Sequence, residues 1–193
     1  MRPADVSPDP APPTHAEPSA GRTPLRRAAS VLALFVVAGA AAGALWERLW
    51  HAPAGLVYDG RWYLEPAGPD VSFEGIALFV VIAFPLGLVL AVLAGVWRGH
   101  ETTTVLAVLV GACLATVAMY AVGTLLGPGD PQAMAAGQPD YTALDGGLGL
   151  TAPDHGRVAW HSTALVALPS GAMAGLVVTY LLGTTGLTRR SRG

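Results

Sequence analysis

Four long apolar segments constrain this chain more than any other feature of its sequence. Each segment has between 19 and 25 residues, and none contains Asp, Glu, Arg or His. Because an α-helix rises about 1.5 Å per residue, about 20 apolar residues cross the hydrocarbon core of a bilayer. The sequence therefore predicts an all-α integral membrane protein built as a bundle of four transmembrane helices. The predicted helices cover residues 28–46, 75–97, 102–126 and 162–182.

The composition argues against a soluble globular enzyme. Hydrophobic residues make up 52% of the 193-residue chain, charged residues make up 12%, and the mean hydropathy is +0.49. Soluble domains carry charge on about a quarter of their residues, so this chain lacks the polar surface that would keep it in water. A net charge of −2 and a pI near 6.2 argue against nucleic acid as a partner. The single cysteine, Cys113, excludes an intramolecular disulfide and a cysteine-based zinc cluster.

The segment before the first predicted helix is rich in proline. Seven of the sixteen prolines fall within residues 1–24, and a stretch of this kind cannot bury enough apolar surface to offset the entropy lost on ordering. The predicted parts are a disordered Pro-rich cytoplasmic tail at 1–27, a membrane domain at 28–188 with exterior loops at 47–74 and 127–161, and a basic cytoplasmic tail at 189–193.

The arginines predict which end of each helix faces the cytoplasm. With the N-terminus inside, eight arginines lie on the cytoplasmic side and three lie outside, which is the bias expected of membrane proteins. We therefore expect a multi-pass protein of the cell (plasma) membrane with both termini cytoplasmic. The pair Arg26-Arg27 before an apolar run also fits a cleavable signal segment, but the length of that run favours a retained helix. Trp46 and Trp50 are predicted to lie at the outer membrane interface, which indole rings favour.

The first exterior loop contains the signal of a β-hairpin. An Asp-Gly dipeptide at 59–60 lies between strand-forming residues, and it accepts the positive φ angles of a type I′ turn. A two-residue turn here places Val57 opposite Trp62 on one face of the hairpin and Tyr58 opposite Arg61 on the other.

The second exterior loop and the cytoplasmic turn lead to two further predictions. Residues 148–151 and 157–160 flank a turn and fit a second short hairpin, which would join the first in one small exterior sheet. A loop without strands fits this Gly-rich stretch equally well. The turn at 98–101 has only four residues, so the second and third helices are predicted to form an antiparallel pair.

Small residues recur at every fourth position within the apolar segments. This spacing keeps them on one helix face, where the missing side chains let two backbones approach closely. We interpret these positions as packing contacts inside the bundle, with self-association or docking of a partner helix as the alternative. The glycines of this pattern are Gly39, Gly43, Gly87, Gly95, Gly111, Gly171 and Gly175.

Groups capable of chemistry are sparse. Ion-coupled carriers usually keep ionisable residues at mid-membrane, and the four apolar segments contain none. Outside them, His51, His155, His161 and Glu74 come nearest to an acid–base or metal site, but they lack ligand spacing such as His-Glu-x-x-His. We therefore predict no catalytic, cofactor-binding or metal site, and no cofactor.

A set of short motifs resembles those of uncharacterised actinobacterial four-helix membrane proteins. The motifs are Gly-Ala-Leu-Trp at 43–46, the acids Glu65, Asp70 and Glu74 before Phe79, and Leu-Leu-Gly-Pro-Gly at 125–129. The likeness covers roughly residues 35–185. The relatives commonly have Asp before the second helix, where this chain has Ser72-Phe73-Glu74. Because that family has no established activity, the resemblance implies four helices and a long Gly-rich second exterior loop, and it assigns no functional residue.

These observations predict a non-enzymatic accessory or scaffold protein in the lipid bilayer. It would bind another envelope protein, or another copy of itself, through its helices or through an exterior patch of Tyr58, Trp62 and Tyr63. One alternative is a subunit of a small-solute transporter or channel. A second is a membrane enzyme acting at the outer face through the histidines and acids named above. The sequence does not identify a ligand.

Overall fold

The computed structural model describes residues 22–65, 70–96, 101–150 and 162–182. Within these residues the protein is mostly helical and contains one small antiparallel sheet. The predicted C-terminal tail, most of the predicted N-terminal tail and most of the predicted second hairpin lie outside the described residues. The helices are α1 (Arg22–Leu49), α2 (Asp70–Val96), α3 (Glu101–Leu126), α4 (Pro131–Ala135) and α5 (Ala167–Leu182), and a 3₁₀ helix at Thr163–Val166 precedes α5. The strands are β1 (Ala54–Tyr58), β2 (Arg61–Leu64) and β3 (Ala143–Asp145).

Four of these helices are long and apolar enough to cross a membrane. They are α1, α2, α3 and the continuous helix formed by the 3₁₀ turn and α5. Each coincides with one of the four predicted apolar segments. The first helix begins earlier than predicted, at Arg22, because Leu25, Arg26 and Arg27 all favour helix and extend it beyond the apolar run.

The closest helix pairs are α1 with α3 and α2 with α5. Gly39 of α1 lies against Ala115 of α3, and Gly43, one turn later, lies against Met119. Because four residues further along α1 the contact is also four residues further along α3, the two helices run in the same direction. By contrast, α2 and α3 contact each other only sparsely. They run in opposite directions, as predicted, because the end of α1, which is parallel to α3, lies against the start of α2. Their small-residue faces are turned towards other helices.

The second parallel pair is built in the same way. Gly87 of α2 lies against Leu168 of α5. Two glycines of α5 in turn lie against α2, Gly171 against Phe84 and Gly175 against Leu88. A Cβ atom added at Gly171 would overlap the carbonyl oxygen of Phe84, so only glycine allows this approach. The remaining two glycines of the predicted pattern also face a neighbouring helix: Gly111 lies against Phe35, and Gly95 lies against Thr179.

Trp46 joins the two pairs of helices. Its side chain is fully buried, its indole N–H donates a 2.8 Å hydrogen bond to the Gly75 carbonyl of α2, and its ring meets that of Phe79 edge to face at 5.0 Å. Gly123 of α3 lies against the same ring. Trp46 lies near the end of α1, as predicted, but its ring is buried inside the protein, because neighbouring glycines leave room for the indole and a carbonyl satisfies its N–H. Trp50, one turn later, is only half-buried.

The described parts of the two long loops, 50–65 and 127–150, lie together at one end of the bundle, which we call the capped end. The backbone N–H of Gly146, from the second loop, donates a 2.7 Å hydrogen bond to the carbonyl of Pro53 in the first loop. Leu148 and Leu150 then return to the helices and are buried in the same apolar core as Trp46. These contacts fix the sheet to the end of the helices.

We expect Gly171→Ala to destabilise the protein, because its new methyl group would meet the Phe84 carbonyl in a close-packed contact. Overpacking of this kind costs about 1–3 kcal/mol, which would lower the thermal unfolding midpoint measured in detergent micelles. Gly129→Ala is the matched control, because a Cβ at this loop position meets only ordinary contacts with Met134. Equal midpoints for the two variants would contradict the described α2–α5 contact.

Candidate functional site

The sheet is built on the predicted hairpin. Strand β1 pairs antiparallel with β2, and the register places Val57 opposite Trp62 and Tyr58 opposite Arg61, so the predicted register is confirmed. The turn residues at 59–60 have φ angles of 49° and 66°. Both angles are positive, as a type I′ turn requires.

A third strand comes from the second loop. Strand β3 pairs antiparallel with β1 and gives the strand order β2-β1-β3. The sequence prediction placed the second hairpin later, at 148–160. The described part of that stretch, 148–150, contains no strand, because Leu148 and Leu150 are buried in the core of the helical bundle. The rest of the predicted hairpin, 151–160, lies outside the described residues.

The inner face of the sheet holds the sheet together. Val57 and Trp62 are buried there, in one cluster with Ala135 of α4, and Leu64 and Leu144 pack against this cluster. The indole N–H of Trp62 donates a 2.9 Å hydrogen bond to the carbonyl of Leu144. Trp62 was expected in an exposed partner patch, and this expectation is wrong. Its strand position turns the ring inward, where it links β2 to β3.

One edge of the sheet is closed by a side chain. The Trp62 backbone N–H donates to Gln132 Oε1 at 3.2 Å, and Gln132 Nε2 donates to the Trp62 carbonyl at 2.8 Å. The carboxamide of Gln132 thus occupies the outward-facing backbone groups of Trp62 much as a neighbouring strand would. Asp130 fixes the start of α4, because its side chain accepts a hydrogen bond from the Gln132 backbone N–H. Closing an edge in this way prevents unwanted strand pairing.

The outer face of the sheet is aromatic and exposed. Leu56, Tyr58, Tyr63 and Tyr141 have exposed fractions between 37% and 74%, whereas the inward Trp62 is 3% exposed. The rings of Tyr58 and Tyr141 meet edge to face, with centroids 6.0 Å apart. These four residues and Glu65 line a groove of about 470 Å³. We call this surface the tyrosine groove.

Tyr141 is the residue of this surface that sequence reasoning missed. It lies in a Gly-rich loop with no strand pattern around it, and it reaches the hairpin only because the Tyr141 N–H donates a 2.7 Å hydrogen bond to the Val57 carbonyl. Its φ of 67° is unusual for a residue with a side chain. No local spacing in the sequence links residue 141 to a hairpin that ends at residue 64.

The capped end is acidic. Charges of the same sign raise the local potential together and favour partners of opposite charge. Its described side chains include seven carboxylates and two arginines, which are Glu47, Asp59, Glu65, Glu74, Asp130, Asp140 and Asp145, with Arg48 and Arg61.

The histidines do not assemble a metal centre in the part of the chain that the structure describes. His51 Nδ1 lies 3.4 Å from Glu74 Oε1 at an exposed position, and the described residues contain no group of three or more His, Cys, Asp or Glu side chains able to hold a metal ion. His155 and His161, the other two candidates, lie outside the described residues. The tyrosine groove is therefore the candidate site that the geometry favours.

Comparison with known protein families, with curated proteins and with solved structures finds no match to this chain.

We expect Gln132→Ala to open the β2 edge of the sheet, because the Trp62 backbone would lose both of its side-chain partners. A hydrogen bond of this type contributes about 0.5–1.5 kcal/mol, so amide hydrogen exchange at Trp62 should accelerate by about two- to ten-fold per lost bond. Gln138→Ala is the matched control, because Gln138 is exposed and its backbone N–H, which the substitution keeps, donates a hydrogen bond to the Ala135 carbonyl. Unchanged exchange at Trp62 in the Gln132 variant would contradict the proposed role of the carboxamide.

Proposed function

We propose that this chain is an integral membrane protein whose four long helices cross the bilayer. Each helix exposes large apolar side chains at its middle, for example Val37, Val81, Val117 and Val177. Exposed apolar surface on this scale is unfavourable in water, whereas in a bilayer the same side chains contact lipid tails. The charged residues of these helices lie near the helix ends, which suits the same arrangement.

The arginine distribution supports a plasma-membrane orientation with both termini in the cytoplasm and the capped end outside. Eight arginines then lie on the cytoplasmic side and three on the exterior side, in agreement with the positive-inside rule. In this orientation the tyrosine groove faces the cell envelope, where partner proteins are accessible to it.

The role we propose is that of a non-enzymatic accessory or scaffold protein that binds another envelope protein through the tyrosine groove. The observation that carries this proposal is the exposed cluster of Tyr58, Tyr63 and Tyr141 on a sheet held by a tight turn, a buried indole and a closed edge. Tyrosines provide large contact areas at interfaces. Because the sheet is already ordered, a partner would bind without the entropy cost of ordering it.

A photo-crosslinking amino acid placed at Tyr63 tests this function in native membranes. We expect it to form one discrete adduct with another envelope protein, identified by mass spectrometry, and a second substitution, Tyr141→Ser, should reduce the yield of that adduct. The same amino acid at Gln138, which is exposed outside the groove, is the matched control. Equal adducts from both positions, or no protein adduct from Tyr63, would contradict the proposal.

A further inference from the structure

The outer face of the sheet orders its side chains in rows, because directly paired residues of an antiparallel sheet share a face. In the middle row, Leu56 lies between Tyr63 of β2 and Ala143 of β3. In the next row, Ala54 lies opposite Asp145, and on its other side the Glu65 N–H donates a 3.1 Å hydrogen bond to the Ala54 carbonyl. Two carboxylates therefore flank a small alanine, one row from the aromatic part of the face.

The tyrosine groove combines this acidic end with aromatic rings. Glu65 is the charged residue that lines it, and Tyr58, Tyr63 and Tyr141 contribute the rings. The face of an aromatic ring carries partial negative charge, which attracts cations. Tyr63 lies one row from Glu65, so its ring and this carboxylate present negative potential at the same end of the groove, and Leu56 provides an apolar floor. Arg61 lies two rows from Glu65, at the other end of this face, opposite Tyr58.

From this arrangement we infer that the tyrosine groove binds an organic cation carried on an apolar stem, namely the lysine or arginine side chain of an extended segment of the partner protein. The guanidinium or ammonium group lies against the Tyr63 ring and pairs with Glu65, at the end of the groove away from Arg61, and the methylene stem covers Leu56. That a partner protein supplies this cationic side chain rests on the proposed function. The cation chemistry rests on the groove alone.

The charge of the surroundings agrees with this occupant. At the capped end, the described carboxylates outnumber the arginines by seven to two, so a basic segment is attracted from a distance and an acidic one is repelled. The volume also fits: about 470 Å³ lies within the range of about 300–1,000 Å³ typical of ligand sites. The groove thus has room for the cationic side chain and for the residues next to it.

Fluorine NMR of the full chain in lipid nanodiscs, with 3-fluorotyrosine incorporated, tests the inference. The probe is N-acetyl-arginine amide, and N-acetyl-citrulline amide is its neutral isostere. We expect the resonances of Tyr58, Tyr63 and Tyr141 to shift and saturate with the arginine probe. A ring–cation contact at an exposed site is worth about a two- to five-fold change in affinity, so the citrulline probe should bind more weakly by at least about this factor.

Variants of the groove separate the cation contacts from simple apolar binding. Glu65→Gln should weaken the arginine probe by about two- to five-fold, whereas Glu47→Gln, the same change outside the groove, should leave its affinity unchanged. Tyr63→Leu should weaken the probe by a similar factor, and Tyr63→Phe, which keeps the ring, should retain most of the affinity.

The results distinguish this inference from the proposed function. Equal affinity for the arginine and citrulline probes, or no shift with either, would overturn the cation site. If Tyr63 still crosslinks to one envelope protein in that case, the scaffold role stands without it. If the arginine probe binds selectively and no protein is crosslinked, the cation site stands and the scaffold role fails.

Discussion

The close approach of parallel helices at glycine is the contact on which the rest of the structure depends. In both pairs, α1 with α3 and α2 with α5, backbone atoms of one helix occupy the space that a side chain would take on the other. In the bilayer location proposed above, the hydrophobic effect would supply little attraction between the helices, and tight van der Waals packing of this kind would provide much of the association energy. The buried indole of Trp46 then ties α1 to α2 through a buried hydrogen bond to the Gly75 carbonyl.

This packing also determines where the sheet lies. Strand β1 follows the end of α1 by only a few residues, and the second loop is held to the first by the Gly146–Pro53 hydrogen bond before Leu148 and Leu150 re-enter the core. A hairpin alone is only marginally stable in water. Here β3, the Trp62 indole and the Gln132 carboxamide support it from three sides. The outer face is left open, and this asymmetry makes the tyrosine groove a candidate binding surface.

The sequence was informative wherever a local pattern determines local structure. Apolar length predicted the four helices, and the Asp-Gly dipeptide predicted the register of the hairpin, because a two-residue turn leaves few alternatives for pairing. The expectations that failed depended on contacts between distant residues. For Trp46, the sequence predicted a position at the end of the first helix but not the burial of its ring, which depends on Gly75 and Gly123 of two other helices.

In the candidate site, too, the features set by local sequence patterns were predicted and those set by contacts between distant residues were not. Tyr58 and Tyr63 were expected on an exposed patch, and both are exposed in the structure. Trp62 was expected beside them but faces inward, because neighbouring strand residues point to opposite faces. Tyr141 had no local signal, since only the pairing of β3 with β1 brings it to the groove. Likewise, the small residues indicated packing faces, but their spacing does not specify which helices pair.

Spin-label accessibility in lipid nanodiscs tests whether the four helices pack on each other through glycine faces and present their other faces to lipid. In a Cys113→Ala background, nitroxides are placed singly at Val37, Val81, Val117 and Val177, one on each helix, with Gln138 as the water-exposed reference. We expect all four valine positions to be accessible to oxygen, which dissolves in lipid, and protected from a water-soluble nickel chelate, while Gln138 shows the reverse. Exposure of the valine positions to the nickel chelate at the level of Gln138 would contradict the placement of these helix faces in lipid.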